Sequence, residues 1–150
     1  MEKQLQYLLD RLAIEDQIKH YAQLIDSKGF DRLHEVMMPG GIIDYRASGG
    51  ERGTVEEIPD FLVRTMTDVR SQHLMTNVEC EIAPDRNSAK TTHLLFNPMT
   101  IDLHGRDYTY FCGLRYDCDW VRTEADEWKM TSMVQRDAYH YHRPLPPKKN

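Results

Sequence analysis

The feature that most constrains this chain is a change of period near Ser71. Before it, apolar residues recur at helical spacing. Leu5, Leu8, Leu9, Leu12, Ile18, Tyr21, Ala22 and Ile25 form one stripe between Glu2 and Asp26. Ser27-Lys28-Gly29 ends that helix, and Gly29 is suited to a left-handed C-cap. Asp31 caps a second, short helix through Met38, which Pro39-Gly40-Gly41 breaks. Ile42 to Ala47 reads as a strand and Gly49-Gly50 as a turn. Thr54 with Glu57 makes a capping-box signature ahead of Ile58, Phe61, Leu62, Met66 and Val69. Pro59 splits that segment into a turn and a helix.

After Ser71 the pattern is that of strands, near 72–83, 89–101, 107–122 and 127–142. Between them stand turn clusters: Pro84-Asp85-Arg86-Asn87, His104-Gly105-Arg106-Asp107 and Glu124-Ala125-Asp126. Three N-terminal helices followed by four long, meandering antiparallel strands mean α+β architecture, not a parallel βαβ sheet. A long sheet curled over helices encloses an apolar pocket, the default place for a ligand.

Composition removes several functions. The 150 residues fit one domain, expected over 1–143, with a Pro/Lys tail at 144–150. Net charge is −5, from 19 basic and 24 acidic residues, with no basic patch for phosphate, so nucleic acid is not an expected partner. The longest run without a charged residue, Thr91 to Ile101, is too short for a bilayer, which needs about 20 residues. The N-terminus has no apolar run of signal-peptide type. Cys80, Cys112 and Cys118 are odd in number and form no C-x-x-C. These features together fit a reducing cytoplasm better than a disulfide scaffold. His140-x-His142 has a metal-pair spacing without a third ligand, so no metal site is expected.

Several residues are candidates for chemistry, each with two open readings. Asp26 sits in the last turn of a helix, where the dipole disfavours a carboxylate. It is either an exposed terminal acid or a carboxylate held to orient a histidine. His73 opens the strand Gln72-His73-Leu74-Met75-Thr76-Asn77, and alternation puts His73, Met75 and Asn77 on one face. The opposite face, Leu74, Val78, Cys80 and Ile82, is the more apolar, so His73 either lines a polar pocket or meets solvent. If that apolar face is not the pocket's, it offers a subunit interface. Tyr21 and Tyr45 are core tyrosines with satisfied hydroxyls, or phenolic donors aimed at a substrate oxygen. His93 lies on the next strand, within reach of the same pocket. Arg115, Asp117 and Asp119 share a face with Gly113, which either meets solvent or forms part of a polar interior of the curled sheet. Arg136, flanked by Val134 and Ala138, is either a buried ion-pair partner or a substrate anchor.

Certain stretches resemble a family. His20-Tyr21-Ala22-Gln23-Leu24-Ile25-Asp26 with Phe30-Asp31-Arg32-Leu33 is similar to the first-helix signature of SnoaL-like proteins. Gln72-His73-Leu74-Met75-Thr76-Asn77 resembles their first long strand; Gly113-Leu114-Arg115-Tyr116-Asp117 and Trp128-Lys129-Met130 resemble the last two. The similarity runs over roughly residues 5 to 143 and implies a cystatin-like α+β cone. Within the nuclear transport factor 2-like superfamily, the nearest branch holds scytalone dehydratase and bile-acid 7α-dehydratase. That branch implies a catalytic set of His73, Asp26, Tyr21 and Tyr45, with Trp128 structural. Two departures stand out. Asn97-Pro98-Met99 aligns where scytalone dehydratase has a second histidine, and Arg115 and Asp117 fall near its serine and asparagine.

The resemblance implies a cofactor-free lyase of dehydratase type acting on a small cyclic or aromatic carbonyl compound. Asn77, His93, Arg115, Asp117 and Arg136 are the expected substrate contacts. Alternatives are a non-catalytic ligand-binding domain, or an isomerase or polyketide cyclase with the same dyad. A homo-oligomer, trimer or dimer, is also expected.

Overall fold

The computed structural model describes residues 1–102 and 104–142. The expected tail at 144–150 lies outside the described residues. Helix α1 (Glu2–Asp26) buries Ile14, Ile18, Tyr21, Leu24 and Ile25, whereas Leu5, Leu8, Leu9 and Leu12 stay exposed. The expected stripe is therefore a core face only in its second half. The helix closes with the paired bonds of a Schellman cap, Gly29 N–H to Leu24 O at 2.8 Å and Lys28 N–H to Ile25 O at 3.2 Å. Lys28, not Gly29, takes the left-handed conformation (φ 64°). Gly29 serves by its smallness, since a Cβ there would lie 3.3 Å from the Leu24 side chain.

The second expected helix is a 3-10 turn, Phe30–Glu35, and the chain is already a strand at Met37. Strand β1 (Met37–Asp44) runs through Pro39-Gly40-Gly41 instead of being broken there. Its parallel pairing with β7 slips between Met37 and Ile42, and Gly40 takes a positive φ of 71°. Pro-Gly-Gly thus forms a bulge, which tolerates a residue without an N–H. A short 3-10 turn, Arg46–Ser48, and β2 (Arg52–Thr54) follow. Helix α2 (Ile58–Met66) carries Pro59 in its first turn, where no N–H is missed. Half of the expected capping box forms: Thr54 N–H donates to Glu57 Oε2 at 2.9 Å, with Thr54 in β2.

The remaining strands are β3 (Arg70–Ser71), β4 (Leu74–Ile82), β5 (Ser88–Asp102), β6 (Asp107–Arg122) and β7 (Trp128–His142). The sheet order is β2-β1-β7-β6-β5-β3, with β4 also on β5, and every pairing but β1–β7 is antiparallel. The result is the curled sheet over helices that the change of period predicts.

One irregularity decides which face of β4 is inside. Leu74 pairs Phe96 and Thr76 pairs Leu94, but Glu79 pairs Thr92, a slip of one residue centred on Asn77, whose φ is 51°. Before the bulge Met75 packs inward; beyond it Val78, Cys80 and Ile82 do. The two competing faces read from sequence are therefore both inner faces, of different halves of the strand.

The wide inner faces of β5 and β6 meet α1 in a core that includes Trp120, Tyr116 and Leu95. Trp120 Nε1–H donates to Thr91 Oγ1 at 2.9 Å, so its one polar atom is satisfied. Toward one end of the core, Asp10 is buried and receives Arg86 at 2.6 Å as well as Arg122. Burial pushes the Asp10 carboxyl up, but its bonds with both guanidiniums outweigh that and hold it below its ordinary value. Among the described residues, no helix is long and apolar enough to cross a membrane.

Candidate active site

His73 lies in the two-residue gap between β3 and β4, both of which pair with β5 in one register: Ser71 with Met99 and Leu74 with Phe96. Continuing that register sets His73 opposite Asn97. Asn97 pairs with Cys112, and Cys112 with His140, so these residues form a row across the sheet. All four line a cavity of about 500 Å³. Tyr21, Tyr45, Phe61, Leu62, Met66 and Gln135 are among its other walls. Among the described lining residues none is Lys, Arg, Asp or Glu.

Asp26, the last residue of α1, stands behind His73. Its Oδ1 accepts from His73 Nδ1 at 2.6 Å and from Ser71 Oγ at 2.8 Å; its Oδ2 accepts from the His73 backbone N–H at 2.8 Å. Three donors offset the unfavourable helix dipole, an effect of about 0.3–1 kcal/mol. Burial pushes the Asp26 carboxyl up, but the bonds from His73 and Ser71 outweigh it and hold it below the usual carboxylate range. On the cavity side, Asn97 Nδ2 lies 3.2 Å from His73 Nε2.

A second polar cluster is built of phenols. Tyr21 and Tyr45 share a hydrogen bond of 2.7 Å between their hydroxyls. Tyr116 meets the Tyr21 ring edge-on, with centroids 6.1 Å apart, and its hydroxyl is a further partner of Tyr21. Gln135 Nε2 donates to Tyr116 Oη at 3.1 Å, and Ser48 Oγ donates to Gln135 Oε1 at 2.5 Å. Burial pushes all three phenols well above their ordinary value, so they remain protonated donors. Burial also raises the Cys112 thiol, which keeps it from acting as a ready thiolate.

Of the residues singled out from sequence, the structure brings Tyr21, Tyr45, His73 and Asp26 together at one cavity. Five others it places elsewhere. Asn77 is exposed at the bulge, in a surface groove beside α1 and apart from this cavity. Arg115, Asp117 and Arg136 stand on the outer face of the sheet in a partly exposed network. Arg115 bonds Asp117 at 3.2 Å and Asp137 at 2.9 Å, and Arg136 bonds Asp117 at 3.4 Å. The inner positions of β6 belong to Cys112, Leu114 and Tyr116, so the charges alternate outward. His93 is buried against Tyr116, centroids 5.3 Å apart, but does not line the cavity. Burial brings its imidazole down to about 4, so it is neutral. Asn97, Tyr116, Gln135 and Ser48 are site residues that sequence reasoning passed over. A signal for Asn97 existed: it is the polar member of the inward set His93, Leu95, Asn97 and Met99. Among the described residues, no three His, Cys, Asp or Glu side chains gather in a metal-binding arrangement.

Comparison with known proteins places the fold. The SnoaL-like domain model matches residues 6–134. An uncharacterised protein of Mycobacterium tuberculosis is 34% identical over 131 residues, covering 87% of this chain and 86% of its own. Two solved structures share the fold. A hexachlorocyclohexane dehydrochlorinase, LinA type 2, superposes with a TM-score of 0.80 at 16% identity over 96% of this chain and 98% of its own. A putative scytalone dehydratase from Novosphingobium aromaticivorans superposes with a TM-score of 0.77 at 15% identity, covering 93% and 91%.

Proposed function

The chain belongs to the SnoaL-like domain family, and on that footing we propose that it is a cofactor-free lyase of dehydratase type acting on an uncharged cyclic or aromatic carbonyl compound. The observation that carries this reading is the Asp26–His73 pair at the wall of a cavity that buried, protonated phenols share and that no Lys, Arg, Asp or Glu among the described residues lines. Asp26 fixes the proton on Nδ1, which leaves the Nε2 lone pair as the base. His73 takes the proton from the carbon next to the carbonyl, and the electron pair of that C–H bond moves onto the carbonyl oxygen. Hydrogen bonding from the Tyr45–Tyr21 pair stabilises the developing enolate. The electrons then return, the C–O bond at the neighbouring carbon breaks, and the hydroxide leaves with the proton held by His73. The products are an unsaturated carbonyl compound and water. General base catalysis of this kind typically contributes about 10²–10⁴-fold.

The uncharged lining restricts the substrate. An unpaired charge in such a cavity would lose its hydration without a counter-ion. With Arg115, Asp117 and Arg136 outside, neutral hydroxy-ketones fit better than acids or phosphates. The test is a panel of cyclic β-hydroxy-ketones followed by the ultraviolet absorbance of the enone. Wild type turns over a member; His73→Ala and Asp26→Asn are slower by at least about 10²-fold. Variants as fast as wild type sink the scheme. A product that keeps its hydroxyl assigns the same dyad to isomerisation, and a ligand bound but unchanged assigns the cavity to binding alone.

We also propose that the protein is a homo-oligomer. The outer sheet face carries exposed Leu74, Leu94, Phe96, Tyr139 and Tyr141, with Phe111 stacked on Phe96 at 5.6 Å. A contiguous apolar patch of this kind favours a subunit contact. The face differs from the one expected: Val78, Cys80 and Ile82 are packed inward, and only Leu74 of that set remains outside.

A further inference from the structure

The hydrogen positions around His73 follow from groups that have no choice of role. The Gln72 backbone N–H can only donate, and it is shared between Pro98 O and Asn97 Oδ1, each at 3.2 Å. Asn97 therefore faces Gln72 with its oxygen and His73 with its NH₂. That NH₂ can only donate, so His73 Nε2, 3.2 Å away, must be an unprotonated acceptor. Across the ring, Nδ1 faces an ionised carboxylate and must carry the proton. Turning the amide over would set its NH₂ against the Gln72 N–H and leave that N–H with Pro98 O as its acceptor.

We propose that Asn97 is a positioning residue that selects the neutral form of the His73 ring and must release Nε2 when the ring takes a proton. The proposal rests on the reading of His73 as the base. Asp26 does not make this selection, because an Nδ1–H bonds a carboxylate in the neutral and the charged ring alike. Asn97 does, because only the neutral ring has a lone pair to offer it. A charged ring would press its Nε2–H on the NH₂. The amide must then swing, giving up Gln72 and presenting Oδ1, until the proton is passed on. A base that is uncomfortable when loaded hands its proton readily to a leaving hydroxide.

Other titratable groups near the ring are Asp26 with Lys28 beyond it, Tyr21 and Tyr45, Tyr110 and Cys112 on β6, and His140 on β7. Substitution at position 97 leaves all of them in place. The test is long-range ¹H–¹⁵N correlation NMR on the full chain with ¹⁵N-labelled histidine. In the wild type at neutral pH, Nδ1 of His73 carries the proton and Nε2 is of the lone-pair type. In Asn97→Leu, the pH at which His73 becomes charged moves upward by about half a unit or more, the size expected for one lost neutral hydrogen bond. In Asn97→Asp, where a permanent acceptor replaces the donor, it moves further in the same direction. A wild-type spectrum with the proton on Nε2 overturns the proposal whether or not the variants fold. So does a Leu variant that charges at or below the wild-type pH, as a merely structural Asn97 would give. No substrate enters the measurement, so failure to find an activity and failure of this proposal are separate results.

Discussion

Replacing Asp26 with Asn removes one charge and almost no volume, yet it cannot satisfy the groups around it. The carboxylate accepts from His73 Nδ1, Ser71 Oγ and the His73 backbone N–H. A carboxamide has one oxygen. If that oxygen keeps the two side-chain donors, its NH₂ confronts the backbone N–H. If it turns over, the NH₂ confronts Nδ1 and forces the ring proton onto Nε2. One hydrogen bond to a charged group, about 1.5–3 kcal/mol, is lost, and a donor is left facing a donor at about 1–3 kcal/mol. The Asp26 side chain is 27% exposed, so water offsets part of this. The expected loss is about 2–4 kcal/mol at neutral pH, which lowers the urea midpoint by about 1–2 M. The pH dependence has a fixed sign. The folded-state titration of Asp26 lies below its ordinary value, so its contribution is complete above about pH 4 and fades as pH falls through the folded value. Other acidic groups titrate in both proteins and cancel in the difference. Urea unfolding of wild type and Asp26→Asn, at neutral and acid pH, measures it. Equal midpoints at neutral pH, or a gap that does not shrink in acid, would refute the reasoning.

Two further perturbations probe other parts of the molecule. Asp10→Ala removes the buried carboxylate shared by Arg86 and Arg122; since Arg86 retains solvent access and Arg122 keeps Asp126, the expected cost is about 2–3 kcal/mol in denaturant unfolding, and a change under about 0.5 kcal/mol counts against the cluster. Gly113→Ala would place a Cβ 2.2 Å from the Tyr139 ring, but that ring is 60% exposed and can swing aside. Its thermal midpoint should therefore fall by no more than about 2–4 °C, the equivalent of about 1 kcal/mol, while light scattering shows weakened assembly because the aromatic patch is broken; a wild type that scatters as a 17.7 kDa particle refutes the assembly itself.

The long strands were readable because an alternating face and turn clusters leave a strong local trace; β6 begins and ends at the expected residues, 107 and 122. The first helix was readable for the same reason. Misreadings occurred where one residue overrides a pattern. Pro39-Gly40-Gly41 reads as a terminator, but pairing with β7 stabilises the chain on both sides and absorbs it as a bulge. Lys28 takes the conformation expected of Gly29 because the cap needs a left-handed residue one position earlier. At the site, the meeting of Asp26 and His73 came from resemblance, since no local rule links positions 47 residues apart. For Arg115, Asp117 and Arg136 alternation gives two faces without saying which is core, so the sequence leaves their side open and the structure puts them outside. In the sequence Asn97 stands only where a related enzyme has a histidine; cross-strand register is what sets it opposite His73.

The kink at Asn77 has a consequence for how this protein can change. Upstream of it, the pairing of β4 with β5 sets the register that holds His73 opposite Asn97; downstream, the strand serves the packing that keeps the molecule folded. Because the two stretches are out of phase, the setting of His73 can drift with one without eroding the packing of the other. Deleting a single amino acid at that point would put them back in step and turn one of them inside out.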